Sequence, residues 1–119
     1  NPFAIVATEA AYNNAEDWLN QANEYIDTNM DFIKEYTEHY MPKTKMIYPE
    51  GTYLVWLDLR SYGLDHQKLQ EMMLHKAGVA LDEGYIFGDE GKGFERINAA
   101  CSRKILKKCL ERMRKALEE

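Results

Sequence analysis

One arginine in an alternating segment, residues 94–100, is the side chain best suited to binding chemistry. In an extended strand successive side chains point to opposite faces. This places Phe94, Arg96, Asn98 and Ala100 on one face, and Glu95, Ile97 and Ala99 on the other. A guanidinium is planar, permanently charged and able to hold a carboxylate through two parallel hydrogen bonds, each worth about 1.5 to 3 kcal/mol. Arg96 therefore indicates either a site for an anionic ligand, which Asn98 could also reach, or a structural ion pair with an acid of the chain.

A glycine-rich segment, residues 84–93 (GYIFGDEGKG), precedes this strand directly. The spacing of Gly88, Gly91 and Gly93 is GxxGxG, which is neither the dinucleotide fingerprint nor the P-loop, and the segment leads into a strand instead of a helix. A phosphate-binding loop is therefore disfavoured. Two interpretations stay open, a hairpin-like connection and a loop that lets the backbone approach a ligand.

Composition and spacing argue against several other kinds of site. The net charge of −5 disfavours nucleic acid as the main partner, and no apolar run approaches the length of a membrane span. We interpret the basic residues of the last predicted helix as a solvated face opposite its apolar stripe. These basic residues are Arg103, Lys104, Lys107, Lys108, Arg112, Arg114 and Lys115.

Neither the histidines nor the cysteines form a recognisable site. His39, His66 and His75 show no metal-ligand spacing with one another or with a cysteine, so no metal site is expected. Cys101 and Cys109 are eight residues apart, about 12 Å of helical rise, which is too far for a disulfide. Reduced thiols and the absence of a signal-peptide pattern predict a cytoplasmic protein.

Capping residues, prolines, glycines and apolar spacing predict the elements that must position these side chains. The predicted helices are 1–12, 14–40, 65–76 and 102–117, and the predicted strands are 45–48, 52–59, 79–81 and 94–100. The strand at 52–59 is nearly continuous in apolar character, which indicates a central strand covered on both faces. Trp18, Tyr25, Phe32 and Trp56 are expected in the core. The order of elements predicts an α/β fold of the α+β type, with helices packed on a small mixed or antiparallel sheet.

Two segments carry a resemblance to a known family. GTYLVWLDLR at 51–60 and GYIFGDEGKGFERINAACSR at 84–103 resemble the C-terminal part of fold-type I pyridoxal-phosphate enzymes of the class I/II aminotransferase superfamily. Within it, the chain is most similar to the MalY/PatB-like cystathionine β-lyase (C–S lyase) subgroup. The resemblance implies that residues 1–119 are a single C-terminal small domain of the aspartate-aminotransferase-like fold. Residues 1–40 would be the entering helices and 44–119 the sheet and its helices.

The resemblance also implies roles for individual residues. Arg96 matches the arginine that binds the substrate α-carboxylate. Asn98 matches a position that supports the strand and the loop after it. The segment with Gly84, Tyr85, Phe87 and Gly88 matches a loop at the entrance of the active site.

The cofactor lysine and the other cofactor-binding residues of the family would precede Asn1. Lys34, Lys43 and Lys45 do not stand in the family's Ser-x-x-Lys context. We therefore expect no catalytic, cofactor-binding or metal-binding residue in this chain, and no activity of the chain alone.

The implied function belongs to a longer protein. It is a pyridoxal-phosphate-dependent lyase that cleaves cystathionine or cysteine S-conjugates to thiol, pyruvate and ammonia, as a cytoplasmic homodimer with a small amino acid as substrate. An aminotransferase of the same fold is the first alternative. A stand-alone binding module without the cofactor is the second.

Overall fold

The computed structural model describes residues 1–118, which form helices and short strands in the predicted general order. The helices are α1 (Pro2–Asn14), α2 (Glu16–Tyr40), α3 (His66–Glu71) and α4 (Arg103–Glu118). A π-helical stretch, Met72–Ala77, continues α3. The strands are β1 (Lys45–Ile47), β2 (Leu54–Asp58), β3 (Asp82–Glu83) and β4 (Phe94–Asn98). Single 3₁₀ turns occupy Arg60–Tyr62, Gly84–Phe87 and Asp89–Gly91.

Three helix starts lie at the predicted capping residues, whereas α2, predicted from residue 14, begins at Glu16 after Ala15 without a side-chain cap. Asn1 Oδ1 accepts a hydrogen bond from the Phe3 amide at 3.0 Å, and Asp65 Oδ1 accepts one from the Lys68 amide at 2.8 Å. The hydroxyl of Ser102 is 3.4 Å from the Ile105 amide. Each side-chain oxygen thus satisfies a backbone donor that a helix start leaves without an intrahelical partner.

The sheet is antiparallel throughout, in the order β1-β2-β4-β3. The central position predicted for β2 is confirmed, but its expected cover on both faces is wrong for the part of the chain described. Val55 and Leu57 are buried, whereas Leu54 and Trp56, on the opposite face, stay partly exposed. The helices pack against one face only, and we call the other face of the sheet the outer face.

The third strand differs from the prediction for residues 79–81. It consists of Asp82 and Glu83, which pair with Arg96 and Glu95 of β4. The amide of Val79 donates instead to the Met73 carbonyl at 2.9 Å, so this segment completes the end of the preceding helix. The apolar character of residues 79–81 could not reveal that pairing with β4 starts only at Asp82.

The core lies between α2, α3, α4 and the inner face of the sheet. Its buried side chains include Ile33, Leu57, Leu69, Leu106 and Leu110, which come from all of these elements. Two aromatic residues expected in the core are outside it, because Trp18 is 71% and Tyr25 46% exposed, whereas Phe32 and Trp56 are partly buried.

The first helix and the start of the second contribute nothing to this core. α1 has no buried residue, and the buried residues of α2 begin at Asn29. The first turns of α2 therefore extend beyond the sheet, which explains why Trp18 is exposed. Within residues 1–118, no helix combines the length and apolar character needed to cross a membrane.

Candidate functional site

The strand register places three chemically different side chains side by side on the outer face. Arg96 of β4 is paired with Trp56 of β2 on one side and with Asp82 of β3 on the other. Directly opposite residues of antiparallel strands point to the same face and lie within contact distance. The indole, the guanidinium and the carboxylate therefore form a row across the sheet.

Arg96 is held by an acid on one side and by aromatic rings on the other. Its Nε and Nη2 donate to the same oxygen, Oδ2 of Asp82, at 3.1 and 2.8 Å. The guanidinium carbon is 4.4 Å from the centre of the Phe87 ring and 6.0 Å from that of Trp56, within the range of cation–π attraction. With 23% of its side chain exposed, Arg96 is oriented by these groups and still reachable from solvent.

The predicted loop brings one of its four named residues to Arg96. The Phe87 ring meets Trp56 edge to face at 5.3 Å and covers the guanidinium. Tyr85 packs instead against His66 of α3 at 5.2 Å, and Gly88 is exposed at the end of the 3₁₀ turn.

The first glycine of this loop is needed for packing. A Cβ at Gly84 would collide with the Gly91 carbonyl oxygen, and a Cβ at Gly91 with that of Gly84. Residues 84 and 91 must therefore both lack a side chain for the backbone to close on itself here. This close approach explains two of the four glycines without any ligand.

Asn98 follows Arg96 on the exposed face, but its side chain has a local task. Its Oδ1 accepts a hydrogen bond from the Ala100 amide at 2.8 Å, in the turn after β4. This geometry agrees with support of the loop, and Asn98 also lines the cavity that Arg96 lines.

A buried asparagine that the sequence did not single out anchors the chain after β4. Asn29 of α2 donates to the carbonyls of Ala99 and Cys101, both at 2.8 Å, and its Oδ1 accepts from Arg103 Nε at 2.7 Å. The side chain is completely buried. Its only sequence signal was its place in the apolar spacing of α2, where a polar residue must find partners.

The basic run of α4 is less solvated than predicted. Arg103 also donates to the Thr28 carbonyl at 2.6 Å and lies over the ring of Phe32. Arg112 donates to the Gly78 carbonyl at 3.1 Å, and Arg114 pairs with Glu118. The interpretation as a solvated face is therefore wrong for Arg103 and Arg112, which tie α4 to neighbouring segments, whereas Arg114 forms its ion pair within α4.

A buried carboxyl lies next to Arg96 but on the inner face. Glu95 is 1% exposed, and its Oε2 has no hydrogen-bond partner among the described residues. Burial raises the pKa of Glu95 from 4.5 to about 7, and the negative charges of Glu83 and Asp82 add to this rise. Glu95 therefore keeps its proton to a higher pH than an ordinary glutamate does.

A cavity of about 430 Å³ opens beside Arg96 at the edge of the sheet. It is lined by Ala80, Leu81, Asp82, Arg96, Ile97, Asn98, Cys101, Ile105, Leu106 and Cys109. This lining includes no lysine, and Arg96 is its one cationic side chain, already engaged by Asp82. An aldehyde cofactor with a phosphate group needs an amine and several phosphate donors, so these residues do not fit pyridoxal phosphate.

No family model matches the chain, but individual proteins do. The chain is 42% identical to cystathionine β-lyase PatB of Bacillus subtilis over 98% of its own length, and 37% identical to protein MalY of Escherichia coli over 89%. It spans only 30% and 27% of these two relatives.

Solved structures agree with these sequence relatives. A pyridoxal-phosphate-bound putative aminotransferase from Clostridium difficile 630 superimposes with a TM-score of 0.95 and 45% identity, over 98% of this chain and 30% of that one. Cystalysin from Treponema denticola, which contains pyridoxal 5′-phosphate, superimposes with a TM-score of 0.89 and 44% identity, over 92% of this chain and 28% of its own.

Proposed function

Because the chain belongs to the MalY/PatB-like cystathionine β-lyases, whose C-terminal portion it matches, we propose that it is the carboxylate-binding part of a pyridoxal-phosphate-dependent C–S β-lyase. The lyase would act on cystathionine or a related cysteine S-conjugate and release thiol, pyruvate and ammonia. In enzymes of this kind the cofactor supplies the electron sink for the reaction. The residues that hold the cofactor would lie in the portion of the enzyme that corresponds to the part of these relatives not spanned by this chain.

The observation that carries the proposal is the position of Arg96. Its guanidinium is oriented from two sides, by Asp82 and by the Phe87 ring, yet it remains partly open to solvent beside a cavity. A fixed fork of N–H donors binds a carboxylate with a defined direction. Arg96 would thus bind the α-carboxylate of the amino acid and orient the molecule for reaction, without itself transferring a proton.

The loop at 84–91 would cover the Arg96 guanidinium beside the cavity, without lining the cavity itself. Phe87 covers the guanidinium, and the Gly84–Gly91 approach sets where the loop begins and ends. The Phe87 ring, although 51% exposed, lies within cation–π range of the guanidinium and would help to keep its donors directed at a bound carboxylate. Of the four loop residues named from the sequence, Phe87 is the one for which we propose a direct role.

Replacement of Arg96 in the full-length protein tests the proposal. Arg96→Ala should raise KM for L-cystathionine at least tenfold and lower kcat/KM, since each charge-assisted hydrogen bond contributes about 1.5 to 3 kcal/mol. Arg96→Lys should recover part of the loss, because lysine keeps the charge but not the fork. Arg114→Ala, which removes an arginine from α4 that pairs with Glu118, is the matched control. Normal kinetics of Arg96→Ala would disprove the assignment.

An aminotransferase is the second candidate, favoured by the Clostridium difficile neighbour, whose description is that of a putative aminotransferase. An arginine that binds an α-carboxylate would serve both reactions. Release of pyruvate and free thiol from L-cystathionine without a keto acid identifies the lyase, whereas turnover that requires a keto acid identifies the transaminase.

Three expectations from the sequence stay predictions. These are a single small domain over residues 1–119, a homodimeric full-length protein and a cytoplasmic location. Sedimentation equilibrium of the full-length protein would test the homodimer.

A further inference from the structure

The carboxylate of Asp82 already occupies the part of Arg96 that a substrate would use. Nε and Nη2 form the edge of a guanidinium that suits a carboxylate, and both donate to Asp82, at 3.1 and 2.8 Å. A ligand carboxylate that approaches this edge meets the Asp82 carboxylate, which has the same chemistry and the same charge. The two cannot hold the same pair of donors together.

The internal pair is incomplete, which makes it displaceable. Both donors converge on Oδ2, so Asp82 does not form the arrangement in which each carboxylate oxygen accepts from a separate nitrogen. The Asp82 side chain is also 50% exposed, and half-exposed ion pairs of this kind are weak. A free carboxylate can place one oxygen on each nitrogen and form the stronger pair.

The backbone around Asp82 lets the exchange take place by side-chain movement. Asp82 lies in a two-residue strand whose register with β4 is fixed by pairing opposite Arg96 and Glu95. Directly after it, the close approach of Gly84 and Gly91 constrains the loop. Rotation of the aspartate side chain toward solvent frees Arg96, while Phe87 keeps covering the guanidinium.

We propose that Asp82 is an internal competitor for the substrate carboxylate, which occupies Arg96 in the free protein and must leave it before an amino acid binds. This inference rests on the proposed role of Arg96. It assigns to Asp82 the lowering of the apparent affinity for carboxylate ligands, while the Phe87 ring keeps the guanidinium oriented. Asp82 thereby acts through Arg96, as a positioning residue.

Neutralising Asp82 in the full-length protein loaded with pyridoxal phosphate tests the inference. Asp82→Asn should lower KM for L-cystathionine about two- to fivefold, the range expected when a weak ion pair no longer competes, and should change kcat by a smaller factor. The dissociation constant of propionate, a carboxylate probe that cannot react, should fall by the same factor in an equilibrium titration. Asp82→Glu keeps the competing charge and should lower both values by a smaller factor than Asp82→Asn does.

Two further variants separate the possible outcomes. Asp31→Asn removes one negative charge from α2, where the side chain bonds to Tyr48, and serves as the charge control. Asp82→Ala should lower KM as Asp82→Asn does, with circular dichroism to verify the fold. The competitor role is refuted if KM and the dissociation constant of propionate stay unchanged or rise in both Asp82→Asn and Asp82→Ala while Arg96→Ala still loses binding. The role of Arg96 then stands. If Arg96→Ala binds normally, the proposed function itself is refuted.

Discussion

Replacing Glu95 with glutamine should make the stability of the protein less dependent on pH. The Glu95 carboxyl is 1% exposed, and Oε2 has no hydrogen-bond partner within residues 1–118. Burial, together with the charges of Glu83 and Asp82, raises its pKa from 4.5 to about 7. Since a tenfold change in proton affinity corresponds to about 1.4 kcal/mol, ionised Glu95 destabilises the folded state by about 3 kcal/mol.

The direction of the effect follows from proton binding in the two states. Below pH 4.5, the ordinary pKa of a glutamate, both states keep the proton and the carboxyl has no effect on the free energy of unfolding. As the pH rises toward about 7, the unfolded chain releases the proton while the folded chain retains it. The unfolded state then binds fewer protons, so stability falls with rising pH. Above about 7 both states are ionised and the full loss remains.

Urea unfolding of the 119-residue chain at about pH 5 and about pH 8, followed by tryptophan fluorescence, measures this effect. The stability of Glu95→Gln relative to wild type should rise by about 2 to 3 kcal/mol between the two pH values. Glu38→Gln, an exposed position on α2, is the control and should show no such change. An equal difference between Glu95→Gln and wild type at both pH values would refute the reasoning, because Glu95 would then titrate alike in both states.

Three other predictions follow from packing and burial. Asn29→Ala should lower the free energy of unfolding by about 3 kcal/mol, because its loss leaves buried groups without hydrogen bonds; urea unfolding measures it. Gly84→Ala should lower the stability by about 1 to 3 kcal/mol, since the new Cβ would collide with the Gly91 carbonyl oxygen; thermal unfolding measures it. Burial raises the pKa of the Cys109 thiol to about 11. Iodoacetamide at about pH 8 should therefore modify Cys109 more slowly than Cys101, as mass spectrometry of peptides would show.

Each of these has its own control. Asn20→Ala, exposed on the same helix as Asn29, should be nearly neutral, and an equal loss at both positions would contradict the role of the buried amide. Gly51→Ala introduces a Cβ that meets nothing within 4 Å and should be tolerated. For the thiols, urea should abolish the difference in rate, and a difference that persists in unfolded chains would show that burial is not its cause.

Much of the helical structure could be predicted because its signals are local. Asn1, Asp65 and Ser102 cap the first turns as predicted, since each acts on an amide two or three residues away. The apolar stripe predicted for the last helix is likewise the side of α4 that contributes Leu106 and Leu110 to the core. The central position of β2 could be predicted from its continuous apolar character. The face of β2 that the helices leave uncovered could not.

The same distinction between local signals and long-range packing applies to the candidate site. The sequence by itself determined that Arg96 has a face of a strand in common with Phe94 and that a glycine-rich loop precedes it, because alternation and glycine spacing are short-range properties. Only the tertiary structure decided that Asp82 occupies the guanidinium and Phe87 covers it, and that Glu95 is buried beneath. These contacts depend on the register between strands and on how a loop closes, which are set by the packing of segments distant in the chain. Local sequence patterns do not determine that packing.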